Sequence, residues 1–298
     1  MIPSPPPGNG GPGKRVEDFM ELHGDTPARS IVLRPPGRPG FVIAPKEPRA
    51  SLPAAPCQTC SVRRLCLPGS LDDRSQPIFD SLLIGRRRLQ KGQKLYRAGE
   101  PFLFLYAVRL GTFKAGLPLN DGDEHVSAFH FPGDIMGFDG VADGRHRTTA
   151  TALEAAEACA IPYAQLMEAC AGSTELRKRV AQLMGTQLVR EYRTTQLVAR
   201  HLSEARVAGF LLLVSGWMRE RGYSPREFHL RMSRAEIGSY LGTSLETVSR
   251  ALSLFARRGF ILVHSRRIEL VDEPGLQAFE AGDHGLGRAF SAAPVVTA

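Results

Sequence analysis

The chain of 298 residues is poor in the features that mark membrane and secreted proteins. No apolar run reaches the roughly 18 to 20 residues that a membrane helix needs. The opening segment, Met1-Ile-Pro-Ser-Pro-Pro-Pro-Gly8, lacks the charged start and apolar middle of a signal peptide. With five cysteines in 298 residues, the chain is no disulfide-dense scaffold. A thiol-reducing, cytoplasmic setting is therefore expected. Enzyme signatures are missing as well. There is no glycine-rich phosphate loop after a strand, no His-Glu-x-x-His pair and no Ser/His/Asp context, so a non-enzymatic role is expected.

What is present points to a polyanion. Lys and Arg number 38 against 30 Asp and Glu, giving a net charge of +8. That excess favours nucleic acid as a partner. The hydrophobic content of 43% is enough for two ordinary domains. Residues 1–50 are rich in Pro and Gly and are expected to form a disordered tail, with Lys14 to Leu22 as a candidate short helix.

Cys57, Cys60 and Cys66 fall within ten residues, and Cys159 lies about a hundred residues further on. Thiols so close together in a reducing compartment are better explained by metal than by disulfides. A soft four-thiolate set suits zinc or an iron–sulfur cluster, and spacing alone does not choose. The segment reads as an irregular loop closed by Pro68-Gly69. Cys170 reads as a small buried hydrophobe.

From Leu89 to Ile161 the pattern changes to short alternating runs, at Gln93–Tyr96, Phe102–Arg109 and His125–Phe131. Breaks fall at Gly99-Glu-Pro101, Asn120-Asp-Gly122 and Pro132-Gly-Asp134, which predicts a β-barrel or jelly roll. From Arg177 a four-three repeat runs through Ala181, Met184, Leu188, Glu191, Thr195, Val198 and Leu202, the seam of a two-stranded coiled coil. Glu191 is its odd member. Two such carboxylates meeting across a dimer axis would repel and make the seam tunable.

Near the C-terminus Ser233-Arg-Ala-Glu236 forms a capping box that opens a helix over Ile237 to Leu241, and Gly242 ends it. A second helix begins at Thr243 or Ser244 and carries Glu246, Thr247, Ser249 and Arg250 on its first turns. This is the helix-turn-helix pattern, in which polar residues at the start of the second helix reach base edges. Ile261–Val263 and Arg266-Arg267-Ile268 read as two strands of a wing.

Seven stretches together carry a family resemblance. They are Cys57-Gln-Thr-Cys60-Ser, Leu65-Cys66-Leu-Pro68, His130-Phe-Pro-Gly-Asp134, Gly137-Phe-Asp139, Cys159-Ala-Ile-Pro162, Gly222-Tyr-Ser-Pro-Arg-Glu-Phe228 and Leu245-Glu-Thr-Val-Ser-Arg250. On these the chain resembles the cyclic-AMP receptor protein superfamily and, within it, the fumarate and nitrate reduction regulator (FNR) group of oxygen sensors. The resemblance spans residues 57–272.

It implies an α+β fold: a β-jelly-roll sensor domain of the cyclic-nucleotide-binding type, a long dimerisation helix and a winged helix-turn-helix domain. The corresponding boundaries are 1–50 for the tail, 51–172 for the cysteine loop and sensor, 173–203 for the helix, 204–275 for the DNA-binding domain and 276–298 for a flexible tail. The resemblance also assigns a [4Fe-4S] cluster to Cys57, Cys60, Cys66 and Cys159, with oxygen as the signal; Leu65, beside a ligand, reads either as plain packing or as a shield of the cluster from oxygen. It implies a homodimer on a palindrome of TTGAT-like half-sites in double-stranded DNA. Glu246, Ser249 and Arg250 would read bases, while Thr247, Arg257, Arg266 and Arg267 would hold the backbone. RNA polymerase would touch the turn at Gly122-Asp123. Cyclic-nucleotide binders of this fold carry a Gly-Glu pair followed by Arg-Ser. Here Phe138 replaces the glutamate and Arg147 is followed by Thr148, so cyclic AMP is not expected to bind.

Overall fold

The computed structural model describes residues 57–82, 85–119 and 123–282. The N-terminal tail, the candidate helix at Lys14–Leu22, the break at 120–122 and residues 283–298 lie outside that description.

Eight strands build the first half: β1 (Gly85–Leu89), β2 (Lys94–Tyr96), β3 (Phe104–Leu110), β4 (Phe113–Pro118), β5 (Glu124–His130), β6 (Ile135–Met136), β7 (Thr149–Ala152) and β8 (Ala156–Pro162). They pair antiparallel in two four-stranded sheets, ordered β1-β8-β3-β6 and β2-β7-β4-β5. Tyr96, Tyr106, Val108, Phe113 and Met136 form one buried cluster with the alanines of β7 and β8. The small residues leave room for the large ones, as close packing requires.

Three helices follow the same logic around the roll: α1 (Ser75–Leu82), α2 (Tyr163–Gly172) and α3 (Thr174–Val198). Ser173 caps α3, its Oγ accepting from the Leu176 amide. Phe79, Leu166, Leu176 and Val180 then bury against Leu67, Leu105 and Ile161, which fixes α3 beside the cysteine loop.

The second half contains α4 (Ser203–Glu220), β9 (Glu227–His229), α5 (Arg234–Leu241), α6 (Leu245–Arg257), β10 (Ile261–His264), β11 (Arg267–Leu270) and α7 (Glu273–Ala281). The capping box is present: Ser233 and Glu236 exchange side-chain and backbone bonds at the start of α5. Gly242 ends α5 at φ 63°, a left-handed conformation that side chains with a Cβ adopt only with strain. Phe210, Leu211 and Phe255 are wholly buried in the core of this half. Truncating Phe255 to alanine would cost about 3–5 kcal/mol.

The two halves share an interface. Val126, Phe129 and Phe131 belong to the same cluster as Phe210, Trp217 and Tyr240. Ser239 Oγ accepts from the Val126 amide at 2.9 Å, and the hydroxyls of Thr194 and Tyr240 lie 2.6 Å apart.

Two expectations need correction. The seam does not reach Leu202, because α3 stops at Val198 and Leu202 is the extended N-cap of α4. The break lets α4 turn Val207, Phe210 and Leu211 into the core of the second half instead of continuing the exposed face of α3. The span 276–298 is not all tail. Residues up to Ala281 form α7, whose Leu276 and Phe279 bury in that core, with Phe279 edge-on to Phe255.

Candidate metal centre and nucleic-acid interface

The cysteine loop is held by its own backbone. The Cys60 amide donates to Cys57, Cys66 to Val62 and Gly69 to Cys66, which gives the irregular loop short turns at Cys57–Thr59 and Leu67–Ser70. Cys159 sits on β8, between Arg86 of β1 and Ala107 of β3 in the registers of its two neighbours. Sequence distance is thereby removed. Cys57, Cys60, Cys66 and Cys159 line one cleft together with the apolar Val62, Phe79 and Val108.

Burial governs the thiols. It pushes Cys57 up to about 12 and Cys159 to about 11, and it raises buried Cys66 too, with neighbouring cysteines adding to each shift. As free thiols these groups are protonated and inert, and metal binding would have to displace their protons. Among the described residues no three thiol, imidazole or carboxyl groups close on a point tight enough for a single ion. The donor set nevertheless fits a thiolate-ligated cluster, four soft ligands in a largely apolar cleft. Cys170 is buried on α2 and does not line that cleft.

Charged side chains tie this cleft to the rest of the molecule. Arg109, which lines the cleft beside Cys60, donates to buried Glu157 at 2.6 Å. From α3, Arg179 donates to the carbonyls of Leu65, Leu67 and Cys66, the last at 2.8 Å. Asp134 accepts from Arg190 of α3 and from Arg221, just past α4, both at 2.7 Å, and from the Phe131 amide. Leu65 is half-buried. It lies over Gly133, whose φ of 96° and lack of a Cβ both suit that approach, since a Cβ there would stand 2.5 Å from the Leu65 Cβ.

Around Phe138 the neighbouring polar groups bond within the chain. Asp139 accepts from the amides of Arg147 and Thr148 and from the Thr148 hydroxyl. His146 stacks on Tyr96 with centroids 3.8 Å apart. The Arg147 side chain is exposed and pairs with Asp143.

On the DNA-binding side, Ser244 caps α6, its Oγ accepting from the Thr247 amide. Glu246, Ser249 and Arg250 stand at i, i+3 and i+4, so they share one helix face. Glu246 and Arg250 are exposed. Arg250 donates to the Thr247 hydroxyl at 3.2 Å. Arg234, on α5, donates to Ser249 at 3.1 Å, a partner that sequence reasoning missed because it lies across the turn. Arg257 and Arg266 are exposed, and Arg267 pairs with Glu227 at 2.9 Å. The wing turn passes through Ser265 at φ 59°.

Met184, Leu188 and Glu191 are exposed along α3, while Val198 is half-buried within its own chain. Val189 and Tyr192 are also exposed there, and the four-three repeat did not include them. Gly122 lies outside the described residues. Asp123 accepts from the Leu119 amide through its backbone carbonyl.

A β-roll that feeds a long helix and then a winged helix-turn-helix defines a two-domain DNA-binding regulator. Residues 86–173 match the cyclic nucleotide-binding domain model, and residues 205–279 match the Crp-like helix-turn-helix domain. The chain is 36% identical to the fumarate and nitrate reduction regulatory protein of Salmonella typhimurium over 74% of its own length and 89% of the relative's. It is equally identical to the protein of that name from Escherichia coli K12, over 74% and 88%. FixK2 from Bradyrhizobium japonicum superposes with a TM-score of 0.59 at 30% identity, covering 64% of this chain and 94% of that one. A Crp-family transcriptional regulator from Thermus thermophilus gives 0.53 at 25%, covering 66% and 96%. The chain belongs to the family of fumarate and nitrate reduction regulatory proteins, within the Crp/FNR transcription factors.

Proposed function

We propose that the chain is an oxygen-responsive transcription factor, with Cys57, Cys60, Cys66 and Cys159 as ligands of a [4Fe-4S] cluster. The observation that carries this reading is the convergence of all four thiols on one apolar cleft, although a hundred residues separate the first three from the fourth. When bound, such a cluster supplies an oxygen-labile link between the loop and β8.

The chain's own residues then define the switch. The loop carrying Cys66 is bonded through three carbonyls to Arg179 on α3, the helix that bears the exposed seam of Met184, Leu188 and Glu191. Ordering the loop therefore supports α3, and α3 presents that seam to a second copy. Leu65 covers the loop side of the Gly133 turn and so limits access beside Cys66. Two α6 helices of a dimer would enter successive major grooves of a palindrome with TTGAT-like half-sites. Glu246, Ser249 and Arg250 would face the bases, and Thr247, Arg257, Arg266 and Arg267 the backbone. The spent Asp139 and the stacked His146 support a domain that takes no cyclic nucleotide. Activation through RNA polymerase at Gly122-Asp123 completes the reading, with a cytoplasmic location as its setting.

Iron and sulfide analysis of protein purified without oxygen tests the proposal. The wild-type chain and Cys170→Ala should carry four irons and four sulfides per protomer, the composition of this cluster type, and Cys159→Ala should lose them. Zinc in place of iron, or full loading of Cys159→Ala, would overturn the ligand assignment.

A further inference from the structure

A second cleft, of about 320 Å³, lies between the cysteine loop, the Pro132-Gly133-Asp134 turn, α3 and the end of α4. Its size is at the small end of ligand cavities. Four arginines wall it, Arg64, Arg179, Arg190 and Arg221, against only two carboxylates, Asp134 and Glu220.

The charges are not evenly satisfied. Asp134 is engaged by Arg190 and Arg221, and Glu220 stands 3.9 Å from each of them. Arg64 and Arg179 have no carboxylate partner among the described residues. Arg179 uses Nε and Nη2 on loop carbonyls, which leaves Nη1 without a bond among those residues. Burial also strips water from this guanidinium. Two guanidinium forks beside a cleft with excess positive charge form an oxyanion receptor, since the planar fork matches phosphate oxygens in pairs.

We propose that this cleft binds a small oxyanion of the phosphate class, held between Arg64 of the cysteine loop and Arg179 of α3. The bound anion bridges the loop that carries Cys66 to the helix that carries the dimer seam. It is therefore a second input to the same joint, independent of the thiols. A phosphorylated small metabolite and free phosphate share this chemistry, and inorganic phosphate is the probe that tests it.

The experiment is isothermal titration of the full chain, purified without oxygen, with inorganic phosphate in chloride buffer at constant ionic strength. One saturable site per protomer is expected. Arg64→Gln, at an exposed loop position, should weaken binding at least about tenfold, as expected for loss of a charge-assisted bidentate contact. Thr186→Glu, an exposed α3 position lining the cleft, should weaken it by repulsion without touching either arginine. Arg250→Gln on α6 should leave it unchanged. Absence of saturable binding, unchanged affinity in both cleft variants, or loss of binding in Arg250→Gln alone would overturn the site, the last by placing the anion on the DNA-binding face.

Discussion

The guanidinium of Arg179 on α3 donates to the carbonyl of Cys66 at 2.8 Å, so a candidate metal ligand and the candidate dimer helix share a direct bond. A charged hydrogen bond to a partly buried carbonyl contributes about 1.5–3 kcal/mol. Without it, the Leu65, Cys66 and Leu67 carbonyls would lose their common donor. Arg179→Gln is therefore expected to release iron to a chelator several-fold faster under anaerobic conditions and to weaken dimerisation in sedimentation. Iron release at the wild-type rate would show that the joint lies elsewhere.

Glu191 is exposed on α3 beside Leu188 and Tyr192. A carboxylate becomes costlier to ionise when a second approaches it across a dimer axis. Glu191→Ala should dimerise in air without iron, read by gel filtration. A monomer indistinguishable from wild type would remove the repulsion argument.

Arg250 and Glu246 share one face of α6, and Ser249 between them is braced by Arg234. If Arg250 reads guanine through both its O6 and N7, Arg250→Ala costs roughly 1–3 kcal/mol on the cognate half-site and much less on one altered at that base. Fluorescence anisotropy on the two sequences at fixed salt measures the difference. Equal losses would identify a phosphate contact.

His130 ends β5 in a fully buried position beside the Asp134 hub. Burial lowers its pKa to about 4; Asp134 opposes the shift, and Arg190 and Arg221 reinforce it. The unfolded chain binds the proton near 6.5, so between that value and about 4 the unfolded state holds more protons and stability falls as pH falls. Between pH 7 and pH 5 this group alone removes about 2 kcal/mol. Chemical denaturation at the two pH values should show the loss, and His130→Gln should lack that part of it.

Much of this molecule was legible in the residues. The Ser233–Glu236 capping box, Gly242, Ser244 and the Ile261 and Arg267 strands form local chemistry, and each stands where its residue types require. β1 with its run Gly-Arg-Arg-Arg-Leu, and β7 and β8 with their alanines, were not legible as strands, because their place is set by partners and not by propensity. The same reason hid the end of α3 before Leu202 and the helical nature of α7. The spacing of Cys57, Cys60 and Cys66 marked the loop as a candidate site, whereas Arg179 and the Asp134 hub left no such mark. Arginines that bond carbonyls or acids 56 to 114 residues away leave no spacing pattern in a sequence.

The central claim is that the four thiols hold an oxygen-labile iron–sulfur cluster that governs DNA binding. The most direct measurement is the visible spectrum of protein purified without oxygen, followed with DNA affinity while air is admitted. A broad band at about 420 nm that bleaches together with loss of DNA binding is the expected result. A colourless protein containing zinc, with DNA binding indifferent to air, would contradict it.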